Sequence, residues 1–213
     1  MRPAAASITP DLVAVHAATR AIYDKAATGY DAHRAKFLFE RPWLDRFLGA
    51  LPDRPTVADV GCGAGEPIAR YLIGAGCRLT GIDCAPAMLA IARKRFADHT
   101  WIEADMRTLA LKHHFDGLIS WDAFFHLSRA EQRQTIPRLA EHVAPGGAMM
   151  LTVGPKDCEG SGTVEGEAGY HASLDPAEYE SLLTRSGFSD IRFVKEDPEC
   201  DFHSVVLASN KKP

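Results

Sequence analysis

"VADVGCGAGEPIARYL", residues 57–72, sets three glycines within five positions between an apolar run and a run with helical spacing. Glycine costs stability inside regular structure, so this concentration needs a cause. Gly61, Gly63 and Gly65 fall where a strand turns into a helix. There, glycine permits backbone angles closed to other residues and removes the Cβ that would hold a ligand away. In an open parallel sheet, ligands bind in the crevice beyond such strand ends. A GxG alone fits a tight, ligand-free turn equally well, but the spacing says more. A dinucleotide fingerprint places a third glycine five positions after the first, and Glu66 stands there, followed by Pro67. A carboxylate at a helix N-terminus is a poor seat for a pyrophosphate. The sequence also has no GxxxxGK[ST]. The turn therefore argues against NAD and against phosphate.

Outward from this turn, short apolar runs alternate with helical periodicity. Strands are predicted at 56–61, 78–83, 100–105, 115–121 and 147–154. The intervening segments repeat apolar residues at three- and four-residue spacing. Strand–helix alternation predicts right-handed crossovers and a mostly parallel sheet covered on both faces. After a helix in "DPAEYESLLTRSGF", the strands "SDIRFVKE" and "DFHSVVLAS" are joined only by "DPEC". That connection is too short for a crossover, so this pair is antiparallel. Residues 1–50 read as two helices, 11–34 and 37–52, forming a cap over the ligand edge. The glycine- and acid-rich segment 154–169 reads as a structureless, lid-like loop extending to 172, and 173–213 as the helix and closing hairpin.

Two further strand ends carry acids. Asp83 ends the second strand, where a carboxylate can accept hydrogen bonds from both hydroxyls of a ribose. Asp105 and Met106, in "EADM", can read an adenine through its exocyclic amine and ring face. Each acid alone fits a helix N-cap; glycines, Asp and Asp on three consecutive strand ends are a stronger coincidence.

The chain has 213 residues, a net charge of −4 and 46% apolar content, the profile of one globular domain. Nothing suggests a field that would grip nucleic acid or an anionic membrane, and no apolar run is long enough to span one. The start lacks a signal-type apolar block, so a cytoplasmic location is expected. Five cysteines without CxxC spacing, and scattered histidines, give no disulfide framework and no metal site.

Residues 55–154 resemble the class I S-adenosylmethionine-dependent methyltransferases. "VADVGCGAG" is similar to that family's first motif, "LTGIDCAPAML" to its ribose-binding strand and "EADM" to its adenine motif. "FDGLISWDAFFHL" and "APGGAMMLTV" are similar to its fourth and fifth strands. The resemblance implies a Rossmann-like α/β fold, a single domain whose seven strands run in the order 3-2-1-4-5-7-6 with the last antiparallel. It also implies S-adenosyl-L-methionine as cofactor, with S-adenosyl-L-homocysteine as product. By position, Asp59, Gly61, Gly63 and Gly65 would line the methionine part, with Cys62 also among the cofactor-binding residues. Asp83 would hold the ribose and Asp105 with Met106 the adenine, with Cys84 also among the cofactor-binding residues. Ser120 would offer its backbone carbonyl to the amino group, and Tyr30 would close over the cofactor beside Tyr23 and Arg34.

The chain lacks the [DNS]PP[YF] motif of exocyclic-amine nucleic-acid methyltransferases and the Cys-Pro pair of cytosine-C5 enzymes. A small-molecule acceptor is expected, methylated on oxygen, nitrogen or sulfur by a monomer or homodimer, with no nucleic-acid or membrane partner. The alternative is a non-catalytic module that binds S-adenosylmethionine or S-adenosylhomocysteine. Asp122 and His126 follow the fourth strand and are the candidate catalytic residues. Asp122 also fits a cap, and His126 a packed residue. Trp121, Phe124 and Phe125 suit either an acceptor wall or core, and Tyr170 and His171 face the acceptor if the lid covers it.

Overall fold

In the computed structural model, which describes residues 11–213, the alternation beginning near residue 55 builds a seven-stranded sheet. β1 (Thr56–Val60), β2 (Arg78–Asp83), β3 (Thr100–Glu103), β4 (Phe115–Ser120) and β5 (Val143–Val153) are parallel, in the order β3-β2-β1-β4-β5. Two further strands, β8 (Phe188–Asp197) and β9 (His203–Lys211), close the sheet as β5-β9-β8, with β9 antiparallel to both neighbours. Counting sheet strands only, this is the expected 3-2-1-4-5-7-6.

Alternation along the strands explains why both faces are covered. Val57, Leu79, Ile119 and Met150 pack with α2 (Arg41–Leu48), α3 (Ile68–Gly74) and α4 (Pro86–Arg95). Ala58, Ile82, Leu118 and Met149 face the other way, toward α5 (Arg129–Glu141) and α6 (Pro176–Arg185). Ser128 and Glu131 start α5 with a reciprocal capping box.

Two expectations are corrected. The second N-terminal helix is only Arg41–Leu48, shorter than the predicted 37–52. The segment expected to be structureless is a β-hairpin, β6 (Cys158–Val164) paired antiparallel with β7 (Glu167–Ser173). Gly169 and Gly160 are there for packing, and Gly166, with φ of 85°, serves the turn. A Cβ on Gly169 would stand 2.7 Å from Val164 Cγ2, and one on Gly160 3.2 Å from His171 Nε2.

The first helix, α1 (Leu12–His33), rests against α4 on one side and this hairpin on the other. Asp24 accepts from the Ala87 N–H at 2.8 Å and so caps α4, whose own N-cap, Ala85, has no side chain able to do so. Arg95 of α4 makes a two-pronged bond to Asp31 at 2.8 and 2.9 Å. The His16 and Tyr170 rings meet edge to face, 4.7 Å apart.

Candidate active site

The three glycines of the first turn have different physical causes, although all have positive φ: 79° at Gly61, 52° at Gly63 and 84° at Gly65. A Cβ at Gly61 would lie 2.2 Å from the Ala123 Cβ, and one at Gly65 about 3.0 Å from Phe96. Those two glycines make room for protein. At Gly63 the nearest atom is Met88 Sδ at 4.0 Å, so this backbone borders open space. That space is a cavity of about 190 Å³ whose wall includes Asp59, Gly61, Cys62, Gly63, Asp83, Cys84, Asp105, Met106 and Tyr30.

Two expected cofactor residues lie elsewhere. Gly65 is turned toward Phe96 and Trp101, off the cavity wall. Ser120 is fully buried at the end of β4, and the wall beyond that strand is formed by Trp121 and Asp122.

The acids differ in what they have left to offer. Asp83 accepts the Gly63 N–H on one carboxylate oxygen and the Ala85 N–H on the other, both at 2.8 Å, and so fixes the glycine turn. Burial nevertheless pushes its pKa up. Asp59 is 2% exposed, and its Oδ2 has no hydrogen-bond partner among the described residues. Burial first, then the neighbouring Asp83 charge, raise the Asp59 pKa to about 7. Asp105 caps the short turn Met106–Thr108, and Arg107 Nε meets both of its oxygens at 3.0 and 2.9 Å. Burial works to raise the Asp105 carboxyl, but the Arg107 bonds outweigh it and hold it below its ordinary value. Glu66, read above as repelling phosphate, is offset by Lys36 at 3.2 Å, by Arg95 at 3.7 Å and by Arg70. Its charge is therefore a weak basis for excluding phosphate.

A second cavity, of about 470 Å³, opens between α1, the turn after β4 and the β6–β7 hairpin. Tyr23, Tyr30, Asp122 and His126 border both cavities. Phe125 and His171 line the second one, whereas Phe124 is fully buried in the core. The hydroxyl of Tyr170 bonds Glu159 at 2.7 Å, and its carbonyl serves His126.

His126 is held at both ring nitrogens. Nδ1 lies 2.7 Å from the Tyr170 carbonyl, which can only accept, so Nδ1 carries the hydrogen. Nε2 then accepts from the Tyr23 hydroxyl at 2.8 Å. Burial lowers the His126 pKa, which favours this neutral form, and burial also raises that of Tyr23.

Asp122 is different. It has φ of +51°, uncommon for a side chain other than glycine. Its Oδ1 meets His203 Nε2 at 3.0 Å, and its Oδ2 meets Arg34 at 3.1 Å. Arg34 also binds the fully buried Glu40 at 2.8 Å. His203 Nδ1 points at the carbonyls of Cys200 and Asp201, so both ring nitrogens face acceptors, as in an imidazolium. Burial opposes that charge, yet the Asp122 bond prevails and raises the His203 pKa. Both Asp122 oxygens are thus committed to cations. The residue joins the N-terminal segment to β9, and His126 Nε2 is held as a hydrogen-bond acceptor between the two cavities. Sequence reasoning missed Glu40 and His203, which carry no local signal, and reached Tyr23 only as a cap residue.

Among the described residues, no cluster of His, Cys, Asp or Glu could hold a metal ion. No helix there is long and apolar enough to cross a membrane.

Residues 57–147 match the family described as "Methyltransferase domain". An uncharacterized methyltransferase of Oceanobacillus iheyensis is 30% identical over 133 residues, 61% of either chain. A malonyl-[acyl-carrier protein] O-methyltransferase of Pseudescherichia vulneris is 31% identical over 138 residues, 63% of this chain and 53% of that one. The chain thus spans between about half and three fifths of these relatives' length. Among solved structures, the 1,6-didemethyltoxoflavin-N1-methyltransferase of Burkholderia thailandensis superposes with a TM-score of 0.70 at 20% identity. That match covers 100% of this chain and 93% of the other, a likeness of fold.

Proposed function

Residues 57–147 belong to the methyltransferase domain family, on the class I S-adenosylmethionine-dependent architecture, and from that premise we propose that the chain transfers a methyl group from S-adenosylmethionine to a small-molecule acceptor. The observation that carries this reading is the pair of cavities sharing one wall, with the glycine turn bordering the first and His126 and Tyr23 standing between the two.

The residues present fit the cofactor. The open space over Gly63 is a cradle that a side chain would fill. The unpartnered Asp59 oxygen calls for a donor, and an ammonium group is one. On this reading Asp59, Gly61, Cys62 and Gly63 hold the amino-acid tail. Asp83, with Cys84, holds the ribose; Asp105 and Met106 flank the adenine; Tyr30 covers the bound molecule. When bound, S-adenosylmethionine supplies an electrophilic methyl on a sulfonium. The protein's part is to align the acceptor, exclude water and take up a proton. Asp122, with both oxygens paired, positions the N-terminal segment against the acceptor cavity, and His126 is the base.

Relatives named for O-methylation and for N-methylation leave oxygen and nitrogen both open as the accepting atom. Incubation with methyl-labelled S-adenosylmethionine and a panel of phenols, amines and carboxylic acids tests the reading. Label appearing in an acceptor, with stoichiometric S-adenosylhomocysteine, is the expected result. Tight S-adenosylhomocysteine binding with no transfer to any acceptor would favour a non-catalytic binding module.

A further inference from the structure

The second cavity has few means of holding an ion. Among the described residues that line it there is no lysine or arginine. Its one carboxylate, Asp122, is paired with Arg34 and His203, so His203 is not available to a ligand either. Moving a carboxylate from water into such a site is costly, because the one imidazole of its lining outside these pairs and the Tyr23–His126 bond is His171. A protonated amine meets the mirror difficulty, because the carboxylate that would receive it is already neutralised.

What the cavity does offer is ring surface, from Tyr30, Phe125 and His171, and a proton path. Tyr23 lines this cavity, and its hydroxyl donates to His126 Nε2, the ring nitrogen that carries no hydrogen. The other His126 nitrogen is fixed on the Tyr170 carbonyl, so the ring cannot turn without breaking that bond.

Resting on the methyltransferase reading, we infer that the acceptor is a neutral, flat aromatic molecule bearing an acidic X–H, a phenolic hydroxyl or a ring N–H, and that Tyr23 is the residue that touches this group and passes its proton to His126. The balance is simple. An electron pair on X forms the bond to the methyl carbon, and the pair of the broken methyl–sulfur bond stays on sulfur. The X–H proton moves to the Tyr23 oxygen as the Tyr23 proton moves to His126 Nε2. The positive charge lost at sulfur reappears on the His126 imidazolium, which burial disfavours and which the Tyr170 carbonyl and, more weakly, the paired Asp122 carboxylate support. The other titratable groups facing the cavity are Tyr30, Asp122, Cys158, Tyr170, His171 and His203.

The probes are 4-nitrophenol and 4-nitrobenzoate, alike in shape and unlike in charge, added to protein saturated with S-adenosylhomocysteine at a pH where the phenol is neutral in water. We expect the phenol to bind at least about tenfold more tightly than the carboxylate. Tyr23→Phe should weaken the phenol about tenfold and change the phenolate absorbance of the bound probe, while leaving 4-nitrobenzoate unaffected. His126→Asn should change that absorbance too. Equal or tighter binding of 4-nitrobenzoate, or a bound-phenol spectrum and affinity indifferent to Tyr23→Phe, overturns the inference. Calorimetry of S-adenosylhomocysteine on the same preparations separates the two claims. If it binds and the probes contradict us, only the acceptor class falls; if it does not bind, the methyltransferase reading falls and takes this with it.

Discussion

The Tyr23 hydroxyl lies 2.8 Å from His126 Nε2, a bond across 103 positions of chain that ties the first helix to the turn after β4. A bond of this kind should appear as coupling. Tyr23→Phe and His126→Asn should each destabilise the fold by about 1 kcal/mol, with the double variant short of the sum by about 0.5–1.5 kcal/mol. Urea denaturation of the four proteins measures it. Strict additivity would mean the two side chains do not support one another.

The glycines of the first turn should separate by experiment. Gly61→Ala drives a Cβ to 2.2 Å from the Ala123 Cβ and should lower the denaturation midpoint strongly. Gly63→Ala meets nothing closer than 4.0 Å and should cost only the roughly 1–2 kcal/mol of a positive φ. Its larger effect should be on S-adenosylhomocysteine, whose thermal shift should shrink or vanish. A Gly63→Ala protein with an undiminished shift would place the ligand elsewhere.

Asp59 gives a pH dependence with a definite sign. Its folded pKa stands at about 7, above the ordinary 3.8, so its contribution to the ligand-free fold is full below 3.8 and is lost as pH rises through 7. Asp59→Asn should therefore raise the melting temperature at pH 8 and change it little at pH 4. Binding of a ligand with an ammonium group needs the ionised form. Wild-type affinity for S-adenosylhomocysteine should fall up to about tenfold per unit below pH 7, and the Asn variant should bind weakly without that slope. A wild-type affinity flat from pH 5 to 8 would detach Asp59 from the ligand.

His203 loses its contribution in the same direction of pH, but as a cation rather than as a neutral acid. Its pKa is raised, so the stabilisation from its pair with Asp122 is complete below about 6.5 and disappears as pH rises through the raised value. Asp122→Asn should lower the His203 pKa, read directly from its ring proton shifts by NMR. It should also loosen the Arg34 segment, seen as faster hydrogen exchange around residues 34–40. An unchanged His203 titration would mean the ion pair does not form in solution.

How much of this was legible in the sequence follows from where each interaction is stored. The parallel core was readable because apolar alternation is local, and the closing strand pair because "DPEC" is too short for a crossover. The β6–β7 hairpin was not, since Gly169 and Gly160 answer to Val164 and His171 across the ladder, contacts that composition does not display. The edge that borders the first cavity was readable from Gly63 and Asp83, which lie next to their strand ends. Gly65 carries the same motif letter but faces Phe96, a difference of direction that spacing cannot encode. The clamp on Asp122 joins residues 34, 40, 122 and 203, and no short window contains it.

The central claim, that the cavity beside the glycine turn is an S-adenosylmethionine site, is tested most directly by calorimetry of S-adenosylhomocysteine against the wild type and Asp83→Ala, with NADH as control. The account predicts a micromolar Kd for the wild type, a loss of roughly thirtyfold or more in Asp83→Ala, and no heat with NADH. A cooperatively folded wild type that gives no heat with S-adenosylhomocysteine, or that binds NADH instead, would contradict it.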